Sequence, residues 1–225
     1  MWAQTAVTVP LAAGLVPPPR FTGVGLIAAW ADDAGVDHFL AHDPLAEQLA
    51  DGWHVRLEPL RIFGGWSAMP GLAEITRPVD DDEPVAVLTL GRLRLRRAAA
   101  FFPTSRAAER QAVADPSVLL STALVRPPRL IATFSVWRTA GAMRAYAYGA
   151  DGAHVRASRA HHTRPFTTSR CSPASAPTTR RAHGTASARW PASATTTRRS
   201  PRTRTPGPRP SRLAVVTMYR WIVQS

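Results

Sequence analysis

The chain has no lysine, one cysteine and no acidic residue beyond Asp151. Each shortage excludes something. Cys171 alone cannot form an intrachain disulfide or a cysteine-based metal centre. No apolar run approaches the ~20 residues that a membrane-spanning helix needs. The apolar stretch from Ala6 to Val16 is broken by Pro10, runs into Pro17, Pro18 and Pro19, and has no basic flank, so it does not read as a signal peptide. The default expectation is a cytoplasmic protein that touches a membrane only where its substrate is lipid-like. All 28 basic residues are arginine, and alanine, glycine and proline are abundant. That usage points to a coding sequence rich in G and C.

The formal net charge of +13 would by itself suggest a nucleic-acid or membrane-surface binder. Its distribution removes that reading. Residues 1–155 hold 14 arginines and 15 acids, and residues 156–225 hold 14 arginines and no acid. The body is near neutral, so no specific nucleic-acid partner is expected of it.

Hydrophobic periodicity divides the chain in three. Residues 1–20 are dense in proline and show no clear period, so they read as irregular. Residues 21–157 carry a body in two halves, about 21–77 and 84–157. In the first half Gly23–Trp30 is a buried strand, Asp32 and Asp33 open a helix with Val36, Phe39 and Leu40, and Pro44 opens a second short helical piece. Trp53, Val55, Leu57 and Pro59 then alternate with polar residues as a half-buried strand. After a linker at 67–83, the second half reads as a strand from Val85, a helix from Arg97 to about Asp115 that Pro103 must kink or delay, strands at 118–125 and 130–137, and a helix at Ala140–Tyr148.

Two such units predict an α+β fold: a duplicated ferredoxin-like, dimeric α/β-barrel-like antiparallel sheet with helices on one face. The pattern is incomplete at both ends. The first unit lacks its opening strand and helix, the second lacks its closing strand, and such a sheet exposes unpaired edges.

Residues 158–225 are rich in Arg, Ser, Thr and Pro and lack hydrophobic period until Leu213, which predicts a disordered basic tail. A wrong reading frame accounts for such a tail. Shifting one base earlier from the last base of Pro165, with chosen third bases, permits VHHESLFARFRPYDA for residues 166–180 and then PGSWHGKRPL. That decoding supplies the missing strand, and it places the break between residues 155 and 165.

Several segments resemble the spheroidene monooxygenase family of carotenoid biosynthesis. They are Gly23–Trp30, Trp53–Leu60, Gly65-Trp66-Ser67, Pro84–Thr89, and above all Ala132-Thr133-Phe134-Ser135-Val136-Trp137 followed by Met143, Arg144, Ala145, Tyr146, Ala147, Tyr148 and His154. Tyr146 stands where the family pattern has Phe. The resemblance covers about residues 21–157. It implies a haem-dependent, O₂-using monooxygenase that inserts oxygen into an acyclic carotenoid, with electrons from a ferredoxin-type donor.

On that resemblance His154 is the candidate axial ligand of the haem iron. Arg138 and Arg144 are candidates for the haem carboxylates, and Met143 and Tyr148 for the cofactor pocket, although both also suit a packed core. Trp66, Phe134 and Trp137 are candidates for the substrate pocket. His38 and His42 have metal-compatible helical spacing but no accompanying carboxylate motif. The alternative is a non-catalytic α+β binding or stress-response protein whose sheet forms a homo-oligomer.

Overall fold

The computed structural model describes residues 2–12, 23–30, 32–50, 52–65, 78–150, 152–182 and 214–221. Its strands are β1 (Trp2–Val9), β2 (Gly23–Trp30), β3 (Trp53–Gly65), β4 (Val85–Leu93), β5 (Val118–Arg126), β6 (Leu130–Trp137), β7 (Thr167–Ala182) and β8 (Ala214–Trp221). The helices are α1 (Asp33–His42), α2 (Pro44–Gln48), α3 (Ala98–Ala114), α4 (Ala140–Tyr148) and α5 (Ala153–Thr163).

The strands close into an antiparallel barrel in the order β1-β2-β8-β3-β7-β4-β6-β5. The second unit is complete. Its strands β4, β5, β6 and β7 lie in the order β7-β4-β6-β5, which is the fourth-first-third-second order of a ferredoxin-like sheet. The first unit repeats that order as β3-β8-β2-β1, with β8 standing where the second unit has its first strand.

Three expectations change. Residues 2–9 are a strand. Their β-branched Thr5, Val7, Thr8 and Val9 suit the pleat, and the prolines begin only at Pro10. The boundary expected at 157/158 falls inside α5, and β7 and β8 draw their strands from the Arg/Ser/Thr/Pro-rich segment. The sheet therefore has no open edge of the kind expected at either end. The cause is ladder closure: β3 and β4 both need a partner on the side that β7 fills, and β2 and β3 both need one on the side that β8 fills.

Strand alternation sends apolar residues to two places. The barrel interior is filled by Ile27, Val55, Leu57, Leu88, Leu90, Leu124, Phe134 and Val136 among others. The outer face is covered by helices. Leu26, Ala28 and Trp30 of β2 pack against Val36 and Phe39 of α1, with the Trp30 and Phe39 rings 5.1 Å apart.

The helix ends follow local chemistry. Asp32 caps α1 by accepting from Gly35 N–H at 2.8 Å, and Asp43 caps α2 by accepting from Leu45 N–H at 2.8 Å. Pro103 neither delays nor ends α3. A 3-10 turn at Leu95–Arg97 leads into the helix ahead of it, and the Thr104 hydroxyl donates to Ala100 C=O at 2.9 Å in the disturbed turn.

Val216 in β8 faces Ala28 on one side and Arg56 on the other. Proline there removes a ladder donor between two occupied neighbours. Val216→Pro is expected to lower the thermal midpoint and to promote aggregation through the freed edges of β2 and β3, read by circular dichroism and light scattering. An unchanged midpoint would show that β8 does not close the sheet.

Candidate functional site

Trp137 ends β6 on the outer face. It is 1 % exposed and packs with Val85 and Ala140, while Met143 and Tyr146 press on the same cluster. The Trp137 indole N–H donates to Ser135 Oγ at 2.9 Å, so the buried ring keeps its hydrogen bond. Thr139 then caps α4 by accepting from Ala142 N–H at 3.1 Å. The acidic run before β4 holds the same helix start: Ala140 N–H donates to Glu83 C=O at 2.7 Å and Gly141 N–H to Asp81 C=O at 2.8 Å.

Tyr146 of α4 packs between Trp137 and His154, tilted to both rings. Its ring centroid lies 4.9 Å from the first and 4.8 Å from the second. Its hydroxyl donates to Ala108 C=O of α3 at 3.1 Å. Burial pushes the phenol well above the usual tyrosine range, and the Glu109 carboxylate adds to the shift. Glu109 is itself held, accepting from Ser105 Oγ at 2.6 Å and Ala12 N–H at 2.8 Å.

His154 sits in the first turn of α5, half-buried. Its Nδ1 lies 3.2 Å from Ala147 C=O. A carbonyl only accepts, so that bond puts a proton on Nδ1. Gln111 of α3 braces the turn, with Oε1 accepting from Ala153 N–H at 2.6 Å and His154 N–H at 3.4 Å. Gly149 ends α4 in tight quarters, since a Cβ there would stand 2.5 Å from Ala145 C=O.

The structure thus brings together His154 and Trp137, with Met143 in the same outer-face cluster. Other candidates fall elsewhere. Phe134, three residues from Trp137, points into the barrel and is fully buried in its core. Odd spacing on a strand puts the two rings on opposite faces. Tyr148 is 65 % exposed, outside any core. Arg144 is ion-paired with Asp81, and Arg138 is exposed with its N–H donating to Ser117 C=O at 2.8 Å. Trp66 lies outside the described residues. His38 and His42 stack with ring centroids 4.6 Å apart on exposed α1, and no group of three metal-ligating side chains gathers among the described residues.

Sequence reasoning missed Tyr146 as the centre of this cluster and missed Gln111 as its brace. Tyr146 was visible only as a departure from Phe, and its hydroxyl is what ties α4 to α3. Gln111 carried one faint signal, a polar side chain between the buried Ala108 and Ala112.

The Tyr146 shift has a sign for stability. The folded state holds the phenol proton more tightly than the unfolded chain, whose tyrosines ionise near pH ~10. Above that pH the unfolded state binds fewer protons, so stability falls with a slope of at most about 1.4 kcal/mol per pH unit. Tyr146→Phe should cost about 1 kcal/mol near neutral pH through the lost hydrogen bond, yet flatten this alkaline decline. Denaturant titrations from neutral to alkaline pH measure both, and an equal decline in the two proteins would contradict the buried phenol.

No family profile matches the chain. Two curated proteins, both named spheroidene monooxygenase, are similar to it. That of Cereibacter sphaeroides is 26 % identical over 152 residues, covering 65 % of this chain and 47 % of the relative. That of Rubrivivax gelatinosus is 31 % identical over 144 residues, covering 62 % and 55 %. The chain spans about half the length of these curated relatives. Among solved structures, a protein of Lactobacillus acidophilus NCFM provisionally described as a monooxygenase aligns over 81 % of this chain and 80 % of its own, at 8 % identity and a TM-score of 0.40, a level at which no detail carries over. With a barrel of two ferredoxin-like units and an aromatic–histidine cluster outside its sixth strand, the chain resembles the spheroidene monooxygenases in sequence over nearly two thirds of its length.

Proposed function

We propose that the chain derives from a monooxygenase that inserts oxygen into an acyclic polyene of the carotenoid class. The observation that carries this reading is the similarity to two spheroidene monooxygenases, and its candidate centre is the braced His154.

The resemblance implies a haem, and the residues present fit it in part. His154 would be the residue to hold the haem iron, because the contact of Nδ1 with Ala147 C=O fixes the ring orientation. Arg138 remains a candidate for a haem carboxylate. Arg144 does not suit that role, because Asp81 already takes its guanidinium. When bound, haem would supply activation of O₂, and a ferredoxin-type donor would supply the electrons. The protein's part is to orient the imidazole through Gln111 and Tyr146 and to keep water from the Trp137 face. Phe134 belongs to the barrel core rather than to a substrate slot. Trp137, 1 % exposed under α4, is packed away as well, and Met143 and Tyr148 remain the contacts proposed near the ligand.

We further propose that the segment after residues 155–165 is read out of frame, and that turnover of this product is weak or absent. The register of β7 supports that proposal. Pro173 and Pro177 lie opposite Ile62 and Leu57 of β3, and the register shifts between Arg56 and Leu57, between Pro59 and Arg61, and against β4 between Gly91 and Leu93. Proline inside a strand flanked on both sides is unfavourable.

Haem titration of the purified chain should give a Soret band that His154→Ala removes while far-ultraviolet circular dichroism stays unchanged. A wild-type chain that binds no haem, or an H154A variant that keeps the same band, would sink the ligand assignment. The nucleotide sequence across codons 150–170, read in three frames, checks the frame proposal. A continuation resembling the family in a second frame is expected, and its absence would overturn the proposal.

A further inference from the structure

One end of the barrel concentrates positive charge around an apolar tip. At this end β4 and β5 finish and β6 and β7 begin. The connection from β4 to α3 reads Arg92-Leu93-Arg94-Leu95-Arg96-Arg97, the turn from β5 to β6 reads Arg126-Pro127-Pro128-Arg129, and Arg164 precedes β7. None of these segments contains an acid. They are fastened together: Leu93 N–H donates to Arg129 C=O at 2.8 Å, Arg94 N–H to Phe166 C=O at 2.8 Å, and Thr168 Oγ1 to Arg92 C=O at 3.3 Å. Seven guanidinium groups are therefore held on the β4–β6–β5 side of this end, with Asp32 and Asp33 after β2 across the barrel, and their like charge makes this side of the end strongly positive.

The tip between these charges is apolar. Leu95 is 49 % exposed, and Pro127 and Pro128 are exposed beside it. The Nε of Arg94 is buried with no hydrogen-bond partner among the described residues, so the protein does not use all the donor capacity gathered here.

We propose that this end of the barrel docks on an anionic bilayer surface. The guanidinium groups lie among lipid phosphates, which they match as two-pronged donors. Leu95 and the Pro127–Pro128 turn enter the boundary between headgroups and acyl chains. A nucleic acid fits less well, because these segments expose no aromatic ring for base stacking; Phe166 is buried at 7 % exposure. No helix among the described residues is long and apolar enough to cross a membrane. The surface is independent of the oxygenase reading. β6 begins at it with Leu130 and carries Trp137 at its other end, so changes here leave the His154 cluster in place.

The test is co-sedimentation of the full chain with vesicles of phosphatidylcholine, with and without phosphatidylglycerol. Binding is expected only with the anionic lipid and should weaken as salt rises. Each arginine near an anionic surface contributes about fivefold in affinity, so Arg96→Glu with Arg129→Glu should weaken binding at least about twentyfold. The same charge change at Arg198 and Arg199 in the basic segment controls for bulk charge and should cost less. Leu95→Ser, which alters no charge, should weaken binding on the order of fivefold. Where the charge reversals disturb folding by circular dichroism, glutamine at both positions replaces them. Equal losses from the two pairs, or no loss from L95S, would overturn the proposal. So would a single-stranded oligonucleotide that binds with the same sensitivity to the Arg96/Arg129 pair. Retention of the Soret band in these variants separates this outcome from any failure of the haem assignment.

Discussion

Closure of the antiparallel ladder is the constraint on which the rest of the structure depends. A sheet curved into a barrel leaves no backbone donor or acceptor row unpaired only if every strand has two neighbours. Six strands come from segments with ordinary hydrophobic patterning. The last two, β7 and β8, come from a segment that composition alone would leave unfolded. They are taken up because the strands beside their positions present complementary edges: β7 runs along β3 from Trp53↔Ala182 to Gly65↔Arg170, and β8 along β2 from Gly23↔Trp221 to Trp30↔Ala214. A single chain thereby makes two ferredoxin-like units share one core.

The candidate site is a consequence of that closure. β6 lies between β4 and β5, so Trp137 at its end is fixed by two ladders. Its ring faces outward and must be covered, and α4 covers it with Met143 and Tyr146. Tyr146 in turn supplies the surface against which His154 packs, and its hydroxyl reaches α3. The acidic residues 80–83, a charge run in the sequence, serve here as the anchor of α4 through the carbonyls of Asp81 and Glu83. The position of the imidazole is thus set by a chain of contacts that begins at a strand pair.

Much of this was legible in the residues. The α4 boundaries follow from Ala140–Tyr148 with Thr139 before it and Gly149 after it, and β2 and β6 end where their apolar runs end. What sequence could not supply was partnership. Phe134 and Trp137 look like one aromatic pair in a motif, yet strand alternation puts one in the barrel and the other under a helix. Arg144 looks available for a ligand until Asp81, 63 positions earlier, is folded against it. β1 was obscured because prolines that follow it coloured the whole N-terminal stretch. β7 and β8 have no period that marks them as strands; their place is dictated by edges elsewhere in the chain.

The charge balance shows the same dependence on fold. Residues 1–155 are nearly neutral as a sum, and that argued against an anionic partner. Once folded, the sum conceals a separation. The Asp80–Glu83 run precedes β4 at one end of the barrel, and Arg92–Arg97 begins in its last residues at the other, a strand length away. Charges that cancel in composition are therefore separated along β4: three acid-free segments stand together on the β4–β6–β5 side of the arginine end, with Asp32 and Asp33 after β2 across the barrel. Net charge governs solubility and long-range encounter, but its local arrangement decides which surface a partner meets. Residues 156–225 hold half of the arginines yet leave only Arg164 in the three fastened segments. The case for an anionic contact therefore rests on the body that composition called neutral.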